Sequence, residues 1–523
     1  MTRDLSRNPF QEYRDSDAEY ARMLVDHYGD RLRVQRAPNS SRRTTYVFDA
    51  ESGWIEFEGL DQLALVNDAV SRPLERWIQR NRADLEPKEV AALERRLQRT
   101  ESRRVRRDII DTAYSSIAKV RRGDFDQQTW LVGCNGGVLD LAEPDPAKRW
   151  RKAVPGDMVL WQLPVAYDPE ARSADWTAFK EAIFGDYLEH WNRIEGMYLI
   201  GQLLDAVFAI VVTQGGAGKG TISEVYGAAL GEYGVTPADG YYTKEGQGKH
   251  STDAADLQNR RAVFASEVAK GEELNSERVL QDTGRDRRKP RRIGADQADA
   301  EEWSPQFVPT YFANYMPKLG GEFHALDRRL HLFDMEPDRA KARKFQAAIQ
   351  RVLGGPRAER DRFLVGVLAE MVDNAHRVYQ LYQDESGQEL WFSKQRPTAM
   401  VDAVREAIGD SDPFRVWWAR RVVVDPAETT KFWVVDGTTK DADGNAKEPD
   451  EPLWFDYSMW FTKTWRSERR ASGLGVGQKL DPLQFWNRLA EQGFKAKPGG
   501  KMPLPTGKRA TRSYRVGLRL ADD

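Results

Sequence analysis

Thr213 to Thr221 read TQGGAGKGT, directly after the apolar run AVFAIVV of Ala206 to Val212. An apolar strand that runs into a glycine-rich loop and then a lysine has the layout of a phosphate cradle. Glycines let successive backbone amides point into one concavity, and the helix that follows offers its positive end. The usual pattern has Gly at the first place and Ser or Thr straight after the Lys. Here those places hold Thr213 and Gly220. In a nucleotide site Gly215, Gly216, Ala217, Gly218, Lys219, Gly220 and Thr221 line the phosphates, and Lys219 reaches the β- and γ-phosphates. The hydroxyl that normally binds Mg2+ then comes from Thr221 or from water. The other reading is a strand-to-helix turn with an incidental lysine.

The bulk numbers bound both readings. A chain of 523 residues predicts three or four domains at about 100–200 residues each. With 31% charged, 40% hydrophobic and 11% aromatic residues, and a mean hydropathy of −0.68, it reads as a charged globular protein with ample core material. No apolar run approaches the roughly 18–20 residues of a membrane span, and MTRDLSRNPFQEYRD at the start has no apolar signal region. The single Cys134 excludes an internal disulfide or a cysteine-based zinc site, so the expected compartment is the cytoplasm, without a membrane partner. A net charge of −2 leaves nucleic-acid contact to local basic patches.

Along the chain, TTYVFDAESGWIEFEG (Thr44 to Gly59) alternates like a hairpin around Glu51-Ser52-Gly53. A sparse, charged helical pattern fills about Glu86 to Val120, and WLVGCNGGVLDL (Trp130 to Leu141) reads as two short strands about an Asn-Gly-Gly turn. Ala174 to Leu204 is helical. From Ala206 to about Met335 strands alternate with helices and loops, which predicts an α/β layer with a mainly parallel sheet. Helices dominate from Asp338 to Gln383, and VDGTTKDADGNAKEPDEP is an acidic insertion or linker around 436–452.

Three further elements follow the loop. RRAVFASE (Arg260 to Glu267) is an apolar strand ending in a carboxylate. Parallel to the first strand, it would put Glu267 where it can hold the Mg2+ shell and polarise a water; a strand-end Glu is otherwise simply solvated. FVPTYFANYMP ends a strand in Asn314, either a water-orienting amide or a turn residue. HALDRRLHLFDM presents Arg328 and Arg329, surface charge or an arginine finger aimed at a neighbouring subunit's nucleotide.

Lys219, Glu267, Asn314 and Arg328/Arg329, in that order, resemble the AAA+ superfamily 3 DNA helicases, specifically the helicase part of the phage and plasmid primase–helicase family. That family's loop typically reads Gly-x-Gly-x-Asn-Gly-Lys, then Ser or Gly, then Thr. Gly215, Gly218, Lys219 and Thr221 match; Thr213 and Ala217 depart, and Gly220 is an accepted variant. FDQQTWLVGCNGGVLDL, VAYDPEARSADWTAFKEAIFGD and ASEVAKGEELNSERVLQDTGRD are similar to further family segments, although Leu280 stands where a Lys usually precedes Thr283-Gly284. The resemblance spans about residues 45–400. It implies a multidomain α/β protein with an AAA+ P-loop ATPase core, a parallel sheet with flanking helices. In that scheme 1–165 is an N-terminal α+β region, 166–205 a helical collar and 206–337 the core. Residues 338–400 are a helical segment on the core, and 401–523 a winged-helix-like domain.

The segment RDRRKPRRIG packs Arg287, Arg288, Lys289, Arg291 and Arg292 around Pro290. Such charges repel unless an anion shares them; the alternative is a solvated loop. In the family this region is a hairpin that grips the DNA backbone in the channel of a ring. The end of the chain, from Leu483, reads as an amphipathic helix, a basic loop and a strand over Ser513 to Leu520, similar to a winged helix that binds duplex DNA or a replication partner. No primase-like pair of acidic motifs precedes the Asn-Gly-Gly segment. The resemblance therefore implies a helicase with ATP and Mg2+ as cofactors, for a phage, prophage or plasmid in a bacterial host. Its implied partners are single-stranded and duplex DNA, further copies of itself in a hexamer, and a separately encoded primase or polymerase. The rival reading is an ATP-switched replication initiator that binds an origin; a defence or packaging NTPase is a third.

Overall fold

The computed structural model describes residues 8–35, 44–59, 61–213, 215–244, 256–266, 273–287, 302–319, 326–335, 337–385, 391–411, 413–424, 432–433, 452–471, 479–480, 482–491, 494, 497–503, 509–515 and 518–520. It is a mixed α/β chain of several sheets with helices around a central parallel one.

The N-terminal part builds a four-stranded sheet in the order β3-β2-β1-β4, from β1 (Leu32–Gln35), β2 (Thr45–Asp49), β3 (Gly53–Phe57) and β4 (Ala118–Val120). The hairpin expected at Glu51-Ser52-Gly53 forms there. Asp49 Oδ1 accepts from the amides of Glu51 and Ser52, and Gly53 supplies the positive φ of +77° that closes the turn. The charged pattern after Glu86 becomes two helices, Pro87–Glu101 and Arg103–Ala113, then β4. A second small sheet holds β5 (Leu131–Cys134), β6 (Gly137–Asp140) and β7 (Trp150–Lys152). Asn135 and Gly136 take φ of +48° and +71°, the pair of left-handed residues that a two-residue hairpin turn demands.

The central sheet has five strands, all parallel: β8 (Phe208–Val212), β9 (Gly234–Val235), β10 (Ala262–Ala265), β12 (Val308–Ala313) and β14 (Leu330–Asp334). Their order is β14-β8-β12-β10-β9. β8, β10 and β12 are buried along their whole length, as expected of a sheet covered on both faces. A two-stranded parallel patch, β11 (Glu273–Leu274) with β13 (Lys318–Leu319), lies in the connections. Helices Ala174–Phe184, Leu188–Met197, Lys219–Leu230, Arg339–Leu353 and Arg357–Glu385 pack around the sheet and share one core with it.

The C-terminal part has its own aromatic core of Phe414, Trp417, Tyr457, Trp465 and Phe485. Its helix Pro482–Glu491 is followed by an antiparallel pair, Lys497–Pro503 with Arg509–Arg515, and by Leu518–Leu520 against Val422–Val424. Where a single strand was predicted over Ser513 to Leu520, the chain makes two, paired to different neighbours. Among the described residues no helix is long and apolar enough to cross a membrane.

One buried pair makes the core sensitive to acid. His190 Nε2 lies 2.8 Å from His331 Nδ1 on β14, and both rings stack on Phe392. Burial, helped by Arg193 and Arg396, pushes the His190 imidazole down to about 3; burial, His190 and Arg396 push His331 well down too. Both rings stay neutral while folded and bind protons when unfolded. The stability they allow is therefore complete above about pH 6.5 and is lost as pH falls toward 3. At pH 5 the loss from His190 is about 2 kcal/mol, and His331 adds to it in the same direction. Urea unfolding at pH 7.5 and pH 5 is expected to show this drop in the wild type and not in a His190→Phe/His331→Leu double variant; equal drops would exclude it.

Candidate functional site

The TQGGAGKGT stretch leaves the sheet at its carboxyl edge, between two neighbours. Met335 N donates to Val212 O from the β14 side, and Thr213 N donates to Ala313 O on the β12 side (both 3.2 Å). β8 is thus held on both flanks up to the last residue before the loop. The loop turns on two left-handed glycines, Gly216 at φ +80° and Gly218 at φ +92°. At Gly218 a Cβ would stand 2.6 Å from the Phe179 ring, so this position demands glycine for both backbone and space. Ala217 is buried, and the helix Lys219–Leu230 begins immediately.

Lys219 is only 8% exposed. Its Nζ donates to Thr213 O at 2.6 Å and to Asn314 Oδ1 at 2.7 Å. The ammonium is thereby anchored across the ends of two adjacent parallel strands. Asn314 Oδ1 also lies 3.8 Å from where a Cβ on Gly215 would be, so strand end, loop and lysine converge on one spot. Thr213 is 2% exposed, and its Oγ1 is buried with no hydrogen-bond partner. A buried hydroxyl of that kind is left to be satisfied by a ligand or a water.

The remaining loop residues divide by helix face. Thr221 lies two residues after Lys219, about 200° around the helix. It is buried, and its Oγ1 accepts from Gln350 Nε2 (3.2 Å), which also donates to Glu224 Oε2 (2.7 Å). At Gly220 a Cβ would meet nothing within 4 Å, so that position is open.

Of the other expected site residues, Glu267 lies outside the described residues, as do Arg288, Lys289, Arg291 and Arg292. Arg287 is exposed. β10, the strand that precedes Glu267, is parallel to β8 as expected, but β12 stands between them. Arg329 and Arg328 sit at the opposite end of the sheet from the loop. Phe208 N donates to Arg329 O (2.8 Å) at the start of β8, and a five-residue strand puts that point about 16 Å from the loop. Arg329 is half-buried and donates to Thr283 Oγ1 at 2.8 Å; burial, with Arg328 next, pulls its guanidinium below the ordinary arginine range. Arg328 is exposed.

Sequence reasoning missed Phe179 and Gln350; it expected a helix after Asp338 but not that the helix reaches the loop. A mark of that helix was readable: Arg339, Lys341, Arg343 and Lys344 crowd into its first six residues.

The donor set suits a polyphosphate: loop amides at a helix start, a held lysine, an amide side chain and a spare buried hydroxyl. For Mg2+, the assigned residues are Thr221, whose hydroxyl is engaged by Gln350, and Glu267. Among the described residues no three His, Cys, Asp or Glu side chains are grouped to hold a metal ion.

Residues 21–185 match the protein-family model described as D5 N terminal like. Over that segment the chain is similar to the phage primase–helicase proteins. The matched segment includes β1 to β7 and the helix Ala174–Phe184, whose Phe179 lies under the loop. It is tied to the far edge of the central sheet as well. Arg261, fully buried beside β10, donates to Leu131 O (2.7 Å) and to Leu199 O, while Tyr233 OH donates to Trp161 O (2.8 Å). No curated protein matches the chain. Among solved structures, the A-form apo structure of the NrS-1 C-terminal region is similar at a TM-score of 0.41 and 9% identity, over 95% of this chain and 98% of that one. The apo structure of NrS-1 residues 305–718 is similar at 0.38 and 9%, over 96% and 99%.

Proposed function

We propose that this chain is an ATP-dependent DNA helicase or translocase of phage, prophage or plasmid replication, acting as a ring with ATP sites shared between subunits. The observation that carries the reading is Lys219 Nζ anchored between Thr213 O and Asn314 Oδ1. It joins a glycine loop, its lysine and a polar residue from the neighbouring strand in one site. The similarity of residues 21–185 to the D5 N-terminal-like family supports the replication context.

In this reading the loop amides and Lys219 bind the triphosphate, and Lys219 gives up its neutral oxygen partners for phosphate oxygens. Mg2+, when bound, neutralises charge on the outer phosphates; Glu267 and Thr221 are the assigned residues for its shell. Glu267 also polarises the attacking water, and Asn314 orients it against the outer phosphate. Arg287 to Arg292 grip the DNA backbone, with a salt-sensitive, sequence-independent affinity. The C-terminal helix and strands serve as a winged-helix-like domain for duplex DNA or a replication partner.

Arg328 or Arg329 completes the neighbouring subunit's site, since neither can reach its own loop across the length of β8. The exposed Arg328 is the better candidate, because Arg329 is half-buried. Arg328→Ala is expected to lower turnover by about 10³-fold or more with nucleotide affinity little changed. Mixing it with Lys219→Ala subunits is expected to restore turnover, as one variant keeps the loop and the other the arginine. Mixtures that stay inactive would remove the trans role.

A second reading, an ATP-switched initiator or origin-binding protein with little unwinding, is favoured by one observation: the open Gly220 beside a Thr221 already engaged by Gln350. ATP turnover with Mg2+, with and without single-stranded DNA and over a range of protein concentrations, separates the two. A DNA-stimulated rate that rises faster than protein concentration supports the ring motor. Tight ATP binding with negligible turnover supports the switch.

A further inference from the structure

We propose that Arg343 is the second cation of the nucleotide site, contacting the terminal phosphate of the triphosphate held by its own chain's loop. The inference rests on the nucleotide reading of that loop and adds a residue from an element outside it. β14 follows β8 to the loop, with Met335 N on Val212 O, and the chain then turns at once into the helix Arg339–Leu353. Asp338 caps that helix: its Oδ1 accepts from Lys341 N, and its own amide donates to Ala182 O. A second helix start therefore stands beside the first, both at the carboxyl edge of the sheet.

The face this helix turns to the loop is fixed by two contacts. Gln350 bonds Thr221 and Glu224 on the loop helix. Arg343 lies seven residues earlier, on the same face and about 10.5 Å further toward the helix start. There its Nη2 stands 3.8 Å from where a Cβ on Gly216 would be. The guanidinium is thus laid against the middle of the glycine loop.

The charge at this point is unbalanced. Helix starts favour acidic side chains because the macrodipole is positive there; beyond the Asp338 cap the first turn has none, and Lys341, Arg343 and Lys344 follow. Among the described residues no carboxylate pairs with Arg343, which is exposed. Two helix starts, Lys219 and the Arg343 guanidinium face one glycine loop, an arrangement that the negative charge of a triphosphate complements. A planar guanidinium also accepts two phosphate oxygens at once, which an ammonium does not.

The test is calorimetric titration of the full chain with ATP, ADP and AMP in Mg2+, at concentrations where sedimentation shows a monomer. Arg343→Ala is expected to weaken ATP binding about 10- to 100-fold and ADP binding less than about threefold, with Arg343→Lys between. Lys344→Ala, its exposed neighbour, is expected to stay within about twofold of wild type. The nucleotide-free melting temperature of Arg343→Ala should hold or rise, since a cation at a helix start is removed. Equal ATP affinity in Arg343→Ala and wild type, an equal loss for ADP, or a lowered nucleotide-free melting temperature would each overturn the role of Arg343. A wild-type chain that binds no nucleotide would instead overturn the reading of the loop itself.

Discussion

Lys219→Ala is expected to abolish ATP hydrolysis, lowering turnover by on the order of 10³-fold or more, with the fold retained. The reasoning is local. A preorganised charge aimed at developing phosphate charge is among the largest single contributions a site makes, and this ammonium is already aimed by Thr213 O and Asn314 Oδ1. The truncation itself places alanine at the first residue of a helix, where it is well tolerated. Asn314→Ala removes one anchor and leaves the charge, so a smaller loss is expected, with nucleotide affinity reduced less than in Lys219→Ala. Phosphate release with Mg2+ and single-stranded DNA, alongside far-ultraviolet circular dichroism, checks both. A folded Lys219→Ala chain that still turns over ATP would end the assignment.

Lys180→Ala is expected to be the most damaging substitution away from the loop, destabilising by about 3–5 kcal/mol. Lys180 and Glu195 are both fully buried and lie 2.6 Å apart. Lys180 also meets Glu370 Oε1 at 2.8 Å and Asn192 Oδ1 at 3.1 Å. Glu195 in turn accepts from Asn374 Nδ2 (2.6 Å) and from Tyr226 OH (2.9 Å). The cluster joins four helices, one of them the loop helix that carries Tyr226. Burial pushes the Glu195 carboxyl up against the opposing pull of Lys180. Without the lysine it goes higher still and takes up a proton. A carboxyl raised in the folded state keeps its stability below its unfolded value and loses it as pH rises, so the Lys180→Ala deficit should shrink from pH 8 to pH 5. Lys180→Met with Glu195→Gln, which removes both charges, is expected to recover most of the loss. Urea unfolding at the two pH values measures both effects, and a deficit that grows on acidification would contradict the account.

The parts of the fold that are legible in the sequence are those fixed by neighbours along the chain. The turn at Asn135-Gly136 follows from two residues that tolerate positive φ, and the buried strands from unbroken apolar runs such as Phe208 to Val212. The glycine loop is legible for the same reason: strand, glycines and lysine are contiguous. Asn314 could be named as a candidate from its strand end, but nothing local says that its strand would be the one beside β8. Strand order depends on which faces pack together over a hundred residues, and β12 rather than β10 took that place. Thr221 shows the same limit. The spacing offered its hydroxyl for a metal, and the packing of a helix more than a hundred residues later gave that hydroxyl to Gln350.

By itself, then, the sequence determined the elements, the parallel class of the central sheet and the phosphate-cradle layout of Thr213 to Thr221, because backbone propensity, apolar periodicity and glycine conformation act over a few residues. Tertiary structure alone decided what surrounds that layout. It set Phe179 under Gly218, Asn314 on Lys219 and Arg343 against Gly216, and it placed Arg328 and Arg329 a strand's length away. Those relations are set by the close packing of surfaces distant in the chain, and no local pattern encodes them.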